Sequence, residues 1–135
     1  MRIVLDTNVL MSALISDGKP RMLLNTSIIK NHRLVLSREI VEEFVRISGE
    51  PRIRKYVEKE DIRRFLHIIG TVSEIAHVIS KIKISRDSQD NKILATAYDG
   101  HADYLVSGDN DLLSLNKYRG VRIVTVDRML KILLR

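Results

Sequence analysis

Arg2-Ile3-Val4-Leu5-Asp6-Thr7-Asn8 decides the fold, because a short β-branched apolar run stops at a carboxylate and a helical pattern follows at once over residues 8–15. A run with no polar alternation is buried on both faces, as strands of parallel sheets are. Working outward, Ser16-Asp17-Gly18-Lys19-Pro20 breaks the first helix, and a second runs to about Ile29. Leu34-Val35-Leu36 is the next strand. Ser37 then offers an N-cap for a helix to about Ser48, ended by Gly49 and Pro51. Further along, a helix opens at Ser88 and continues to about Tyr98, Tyr104-Leu105-Val106 and residues 121–126 are strands, residues 110–115 form a short helix, and residues 128–134 form an amphipathic one. Strands alternating with helices imply right-handed βαβ crossovers, so the expected architecture is α/β, three layers (α/β/α), with a central mostly parallel sheet.

Two stretches depart from that alternation. Residues 51–77 are charged and helical in period, with Ile53, Val57, Ile62, Phe65, Leu66 and Ile69 as the apolar stripe, which predicts a helical hairpin insertion extending from the main body. After it, Ile82 and Ile84 alternate with Lys81 and Lys83.

The chain of 135 residues has the size of a single domain spanning 1–135, and 44% hydrophobic with 30% charged residues suffices for a core and excludes a mainly disordered chain. No stretch nears the ~18 apolar residues of a membrane span, and no basic region with a cleavage site precedes the first strand, so a cytoplasmic protein without membrane contact is expected. The absence of cysteine removes disulfides, thiolate metal sites and cysteine nucleophiles together. Any metal must be held by oxygen or imidazole. Lys and Arg number 23 against 17 Asp and Glu, a net charge of +6 that favours a polyanionic partner such as nucleic acid. Four Tyr and two Phe are too few for a base-stacking platform, which points to contact with the backbone.

In open parallel sheets, ligands gather beyond the C-terminal strand ends, where Asp6 and Asp109 both stand, with Asp111 two residues on. Each alone also fits a helix cap. Glu43, three residues after Ile40 and four before Ile47, lies beside the apolar face of its helix, whereas Glu42 sits between Arg38 and Arg46 as an ordinary solvated ion-pair position. Asp90 is followed on its face by Ile93, Leu94 and Ala97. If the four acids Asp6, Glu43, Asp90 and Asp109 meet, their repulsion opposes folding unless cations neutralise them, and an all-oxygen set suits Mg²⁺ or Mn²⁺. Two such ions would activate a water and stabilise the departing oxygen of a phosphodiester.

These residues resemble the PIN domain nucleases and, within them, the VapC-type toxin components of toxin–antitoxin pairs, over essentially the full chain. Leu5-Asp6-Thr7-Asn8-Val9-Leu10 resembles the first acidic motif, residues 37–44 ending in Glu43-Phe44 the second, Asp90-Asn91-Lys92-Ile93-Leu94-Ala95 the third, and residues 102–112, with Ser107-Gly108-Asp109-Asn110-Asp111, the fourth. The resemblance implies a Mg²⁺- or Mn²⁺-dependent endoribonuclease with Asp6, Glu43, Asp90 and Asp109 as catalytic and metal-binding acids and Asp111 as an accessory ligand. It further implies that Thr7 or Asn8 and Ser107 orient carboxylates or a metal-bound water, that water attacks phosphorus to leave a 5′-phosphate and a 3′-hydroxyl, and that the protein is a homodimer inhibited by a cognate antitoxin. The charged section 51–77 is longer than in a minimal VapC, and Asn91-Lys92 stands where small residues are more familiar. Lys92 is either a phosphate contact or a solvated lysine.

Two other readings stay open. A receiver-like phosphotransfer domain accounts for Asp6 and Asp109 only, and a non-catalytic nucleic-acid or antitoxin binder would keep the fold without cleavage. No phosphate loop, dinucleotide fingerprint or nucleophile elbow occurs, and His32, His67, His77 and His101 lack zinc-ligand spacing.

Overall fold

The computed structural model describes residues 1–135. Its elements are β1 (Arg2–Leu5), α1 (Thr7–Ile15), α2 (Lys19–Ile29), β2 (Arg33–Ser37), α3 (Arg38–Ser48), α4 (Pro51–Arg54), α5 (Lys59–Val72), β3 (Ser73–Ala76), α6 (Ser88–Asp99), β4 (Tyr104–Val106), α7 (Asn110–Leu115), β5 (Lys117–Tyr118), β6 (Val121–Val124) and α8 (Val126–Leu133). The six strands order as β3-β2-β1-β4-β6-β5, all parallel except the antiparallel edge strand β5. This is the expected mostly parallel sheet.

Ile3, Val4, Leu5, Leu34, Val35, Leu36, Leu105 and Val106 are all buried, as continuous apolar strands covered on both faces must be. From β1 the chain steps to β2 and β3 in one direction, then returns through α6 to β4 on the other side of β1. Right-handed crossovers made in opposite directions put their helices on opposite faces. Accordingly, α1 packs with α2 and α5, and α8 docks on α2, whereas α6 lies across β1, β2 and β4. The reversal between β1 and β4 opens a crevice beyond their C-terminal ends.

The helical hairpin is real but does not stand away from the body. Ile53, Val57 and Ile69 belong to the same cluster of 31 buried apolar residues as the strands, and Phe65 on α5 stacks on Phe44 of α3 with ring centroids 5.5 Å apart. It is also shorter than its period indicated, because residues 73–76 leave it as β3, paired in parallel with β2 from Leu34↔Ser73 to Ser37↔Ala76. A polar edge strand of this kind is made by its partner rather than by its own pattern. Two boundaries also move: Thr125 caps Arg128 N through its hydroxyl, so α8 starts earlier and β6 ends earlier than their patterns suggested. Similarly, Asp87 rather than Ser88 caps α6, through Gln89 N. No helix is long and apolar enough to cross a membrane.

Candidate functional site

Asp6 leaves β1 at its C-terminal end, where its own N–H extends the ladder to Val106 O at 3.0 Å. One carboxylate oxygen accepts from Val9 N at 2.9 Å and caps α1. The other accepts the Ser107 hydroxyl, and Ser107 Oγ in turn accepts from Asp109 N at 3.0 Å. Capping and site building are therefore shared between the two oxygens of one side chain. Asp109 repeats the device, capping α7 through Leu112 N at 3.1 Å.

Across the crevice, α6 carries Asp90 in its first turn. Single ligand oxygens of Asp90, Asp109 and Asp111 all lie within 4.8 Å of one another, Asp90 buried, Asp109 half-buried and Asp111 exposed. Opposite ligands of a Mg²⁺ ion lie about 4.2 Å apart at 2.0–2.1 Å each, so this hard-oxygen set fits a divalent cation. Burial, then the charge of Asp109, raises the pKa of Asp6 against its hydrogen bonds to Ser107 and Val9. Burial also pushes the Asp90 carboxyl up to about 6, with Asp109, Asp87 and Asp111 adding to the rise and Ser85 opposing it. Crowded anions of this kind call for a cation.

Glu43 stands apart from that trio. Its nearly covered carboxylate is clasped by Arg46, Nη2 to Oε1 at 2.5 Å, while Arg38 alone pairs with Glu42 at 2.6 Å. The sequence placed Arg46 opposite Glu42, and the helix instead gives it to Glu43 at i+3. Its helix is held to the one bearing Asp90 through Ser37 Oγ and Thr96 Oγ1, 2.7 Å apart. Of the supporting residues, Ser107 orients Asp6 as expected, Thr7 Oγ1 is buried with no hydrogen-bond partner, and Asn8 and Lys92 are exposed.

Residues outside the expected set complete the site. Ser85 Oγ donates to Asp90 Oδ2 at 3.1 Å. Asn91 fixes that serine: its Oδ1 accepts from Ser85 N at 2.9 Å and Ile84 N at 3.1 Å, and its Nδ2 donates to Ser85 O at 3.0 Å. Arg86 reaches Asp111 at 3.4 Å. The only signal for this lock was an Asn beside the third acid, in place of the small residue the motif favours.

A profile of the PIN domain matches residues 2–111, which include every acid of the site. The chain belongs to the PIN domain family. An uncharacterized protein of Methanocaldococcus jannaschii, MJ1680, is 35% identical over 125 residues, covering 87% of this chain and 79% of that one. Among solved structures, this PIN domain is similar to a chain of VapBC2 from Rickettsia felis, a complex bound to a DNA fragment from its promoter, with TM-score 0.64 and 16% identity over 93% of this chain and 98% of that one. It is similar also to PAE2754 from Pyrobaculum aerophilum, with TM-score 0.65 and 15% identity over 99% of this chain and 90% of that one. At these identities, the structural likenesses speak for the fold.

Proposed function

We propose that this PIN domain, a single domain over residues 1–135, is a cytoplasmic Mg²⁺- or Mn²⁺-dependent endoribonuclease and the toxin of a toxin–antitoxin pair, acting as a homodimer held in check by an antitoxin. The observation that carries the nuclease reading is the meeting of the Asp90, Asp109 and Asp111 oxygens within 4.8 Å at the β1/β4 crevice, with Asp6 tied to them through Ser107. RNA, the antitoxin and the dimer rest on the likeness to VapC-type proteins.

In this reading, Asp90, Asp109 and Asp111 hold the metal, Asp6 completes the anionic wall, and Glu43 joins when Arg46 releases it. Divalent ions bound there would lower the pKa of a water and offset charge on the scissile phosphodiester, in the two-metal manner. Ser107 keeps the Asp6 carboxylate aimed while Val9 N engages its second oxygen, and Ser85 does the same for Asp90. The buried Thr7 hydroxyl, which has no hydrogen-bond partner, would take the water-orienting role only if the crevice opens to admit a water. Lys92 is exposed, but two residues on from Asp90 along α6 it lies on another face of the helix, so a phosphate contact there would be made outside the carboxylate cluster. A phosphotransfer role fits less well, since Asp6 is 3% exposed and both its oxygens are engaged.

The test is cleavage of a panel of RNA and DNA strands by the wild type, Asp6→Asn and Asp109→Asn, with Mn²⁺ titration and chelation. Asp6→Asn and Asp109→Asn should each lower kcat at least 10²-fold with the fold intact, and chelator should abolish turnover. Metal-independent binding without cleavage would instead identify a non-catalytic binder.

A further inference from the structure

Between β3 and α6 the chain crosses residues 79–85 with no partner strand, yet both ends are fastened to α6. Asp99, the last residue of that helix, accepts from Ile79 N and Ser80 N, each at 2.8 Å, and from Ser80 Oγ at 2.5 Å. Asn91 takes Ile84 N and Ser85 N at the other end. Asp99 and Asn91 are eight residues apart, about 12 Å of helix at 1.5 Å each. The strap covers that span in the four steps from Ser80 to Ile84, about 13 Å at full extension. The strap therefore runs near extension, and over Lys81-Ile82-Lys83 exposure alternates as in extended chain, whereas Ile84 beyond them is half exposed.

Ile82 packs on the core, which directs Lys81 and Lys83 to the opposite, solvent side. Neither amine belongs to any of the nine ion pairs of the molecule. Two residues of extended chain separate them by about 6.6 Å, a repeat comparable to that of successive phosphates along a strand. The strap ends at the acids themselves, through Ser85 on Asp90 and Arg86 on Asp111. An unpaired pair of lysines on a strap fastened at both ends and leading to the carboxylates suits a polyanion lying along it.

We infer that residues 79–85 are a backbone track, on which Lys81 and Lys83 hold successive phosphates of a single nucleic-acid strand and lead it to the carboxylates. This inference rests on the nuclease reading for its function, but it is tested separately by binding. In the Asp109→Asn background, affinity for a labelled single-stranded 12-mer would be measured against salt with and without Lys81→Gln/Lys83→Gln. Two lost contacts at about 0.7 each should lower the slope of log K against log salt by about 1.4 and weaken binding on the order of tenfold at 0.1 M salt. RNA and DNA strands should lose equally. The same charge removed from the α4–α5 hairpin, Lys55→Gln/Lys59→Gln, should leave the slope unchanged, and in the wild-type background the strap pair should raise KM with kcat unchanged. An unaltered slope, an equal loss from the hairpin pair, or a loss confined to one type of strand would overturn the track. A wild type that cleaves nothing would reject the nuclease reading, and the binding comparison would still decide the strap.

Discussion

Asp90 shows how a single side chain records the site's unfinished charge balance. Its pKa rises from 3.8 to about 6 chiefly because burial disfavours the anion. Between those values the native state holds a proton that the unfolded chain has released, so this residue's stabilising contribution is lost as pH rises through the window. Two pH units at about 1.4 kcal/mol each set a ceiling of about 3 kcal/mol by neutral pH. Asp90→Asn has no anion to bury and keeps an oxygen for Ser85. In chelator, the variant should match the wild type near pH 4 and melt several degrees higher at pH 7. Thermal melts of both proteins across that range check it, and a difference independent of pH would show that Asp90 is not held against its charge.

At the scale of elements, the junction between β3 and α6 has the least regular structure and aims one of the acids. Asn91→Ala leaves the amides of Ile84 and Ser85 without their acceptor and frees the serine that touches Asp90. A cost of about 1–2 kcal/mol in stability is expected from the lost hydrogen bonds. Mn²⁺ affinity should fall with it, whereas Asn91→Asp, which keeps the acceptor, should retain most of the affinity, as metal titration of the purified variants would reveal. This junction was also the least legible part of the sequence. Runs such as Ile3-Val4-Leu5 and Tyr104-Leu105-Val106 announce themselves because burial on both faces demands unbroken apolar residues. Ser73-Glu74-Ile75-Ala76 carries no such mark, since it is a sheet edge and owes its strand to pairing with β2. The strap's extension comes from two side chains on α6, Asp99 and Asn91, that no local pattern connects to it. Glu43 was readable as a covered acid, but its choice of Arg46 over Glu42's claim was a matter of rotamers that spacing leaves open.

Across the whole molecule, the strand order β3-β2-β1-β4-β6-β5 gathers positions 6, 85–90 and 107–111 at one end of the sheet, so forming the core obliges carboxylates from distant parts of the chain to approach. That order was legible only in part: the alternation of strands and helices required a parallel sheet, and the acids at strand ends located the crevice, but neither fixed where β3 or β5 would attach. The consequence is an energetic coupling between fold and ligand. A cation that binds the native cluster and not the unfolded chain stabilises by about 2.7 kcal/mol at one hundred times its Kd. For a chain of 135 residues that corresponds to a rise in Tm on the order of 10 °C. Mg²⁺ or Mn²⁺ should therefore raise the wild-type Tm in proportion to the logarithm of its concentration, chelator should reverse the rise, and Asp109→Asn should remove most of it. The melt reads metal capture without requiring a substrate, so a wild-type Tm that stays flat through millimolar metal would refute capture whatever the cleavage assays show. A flat response in Asp109→Asn alone would assign the coupling to the cluster at the crevice, because the exposed carboxylates elsewhere on the surface remain in that variant.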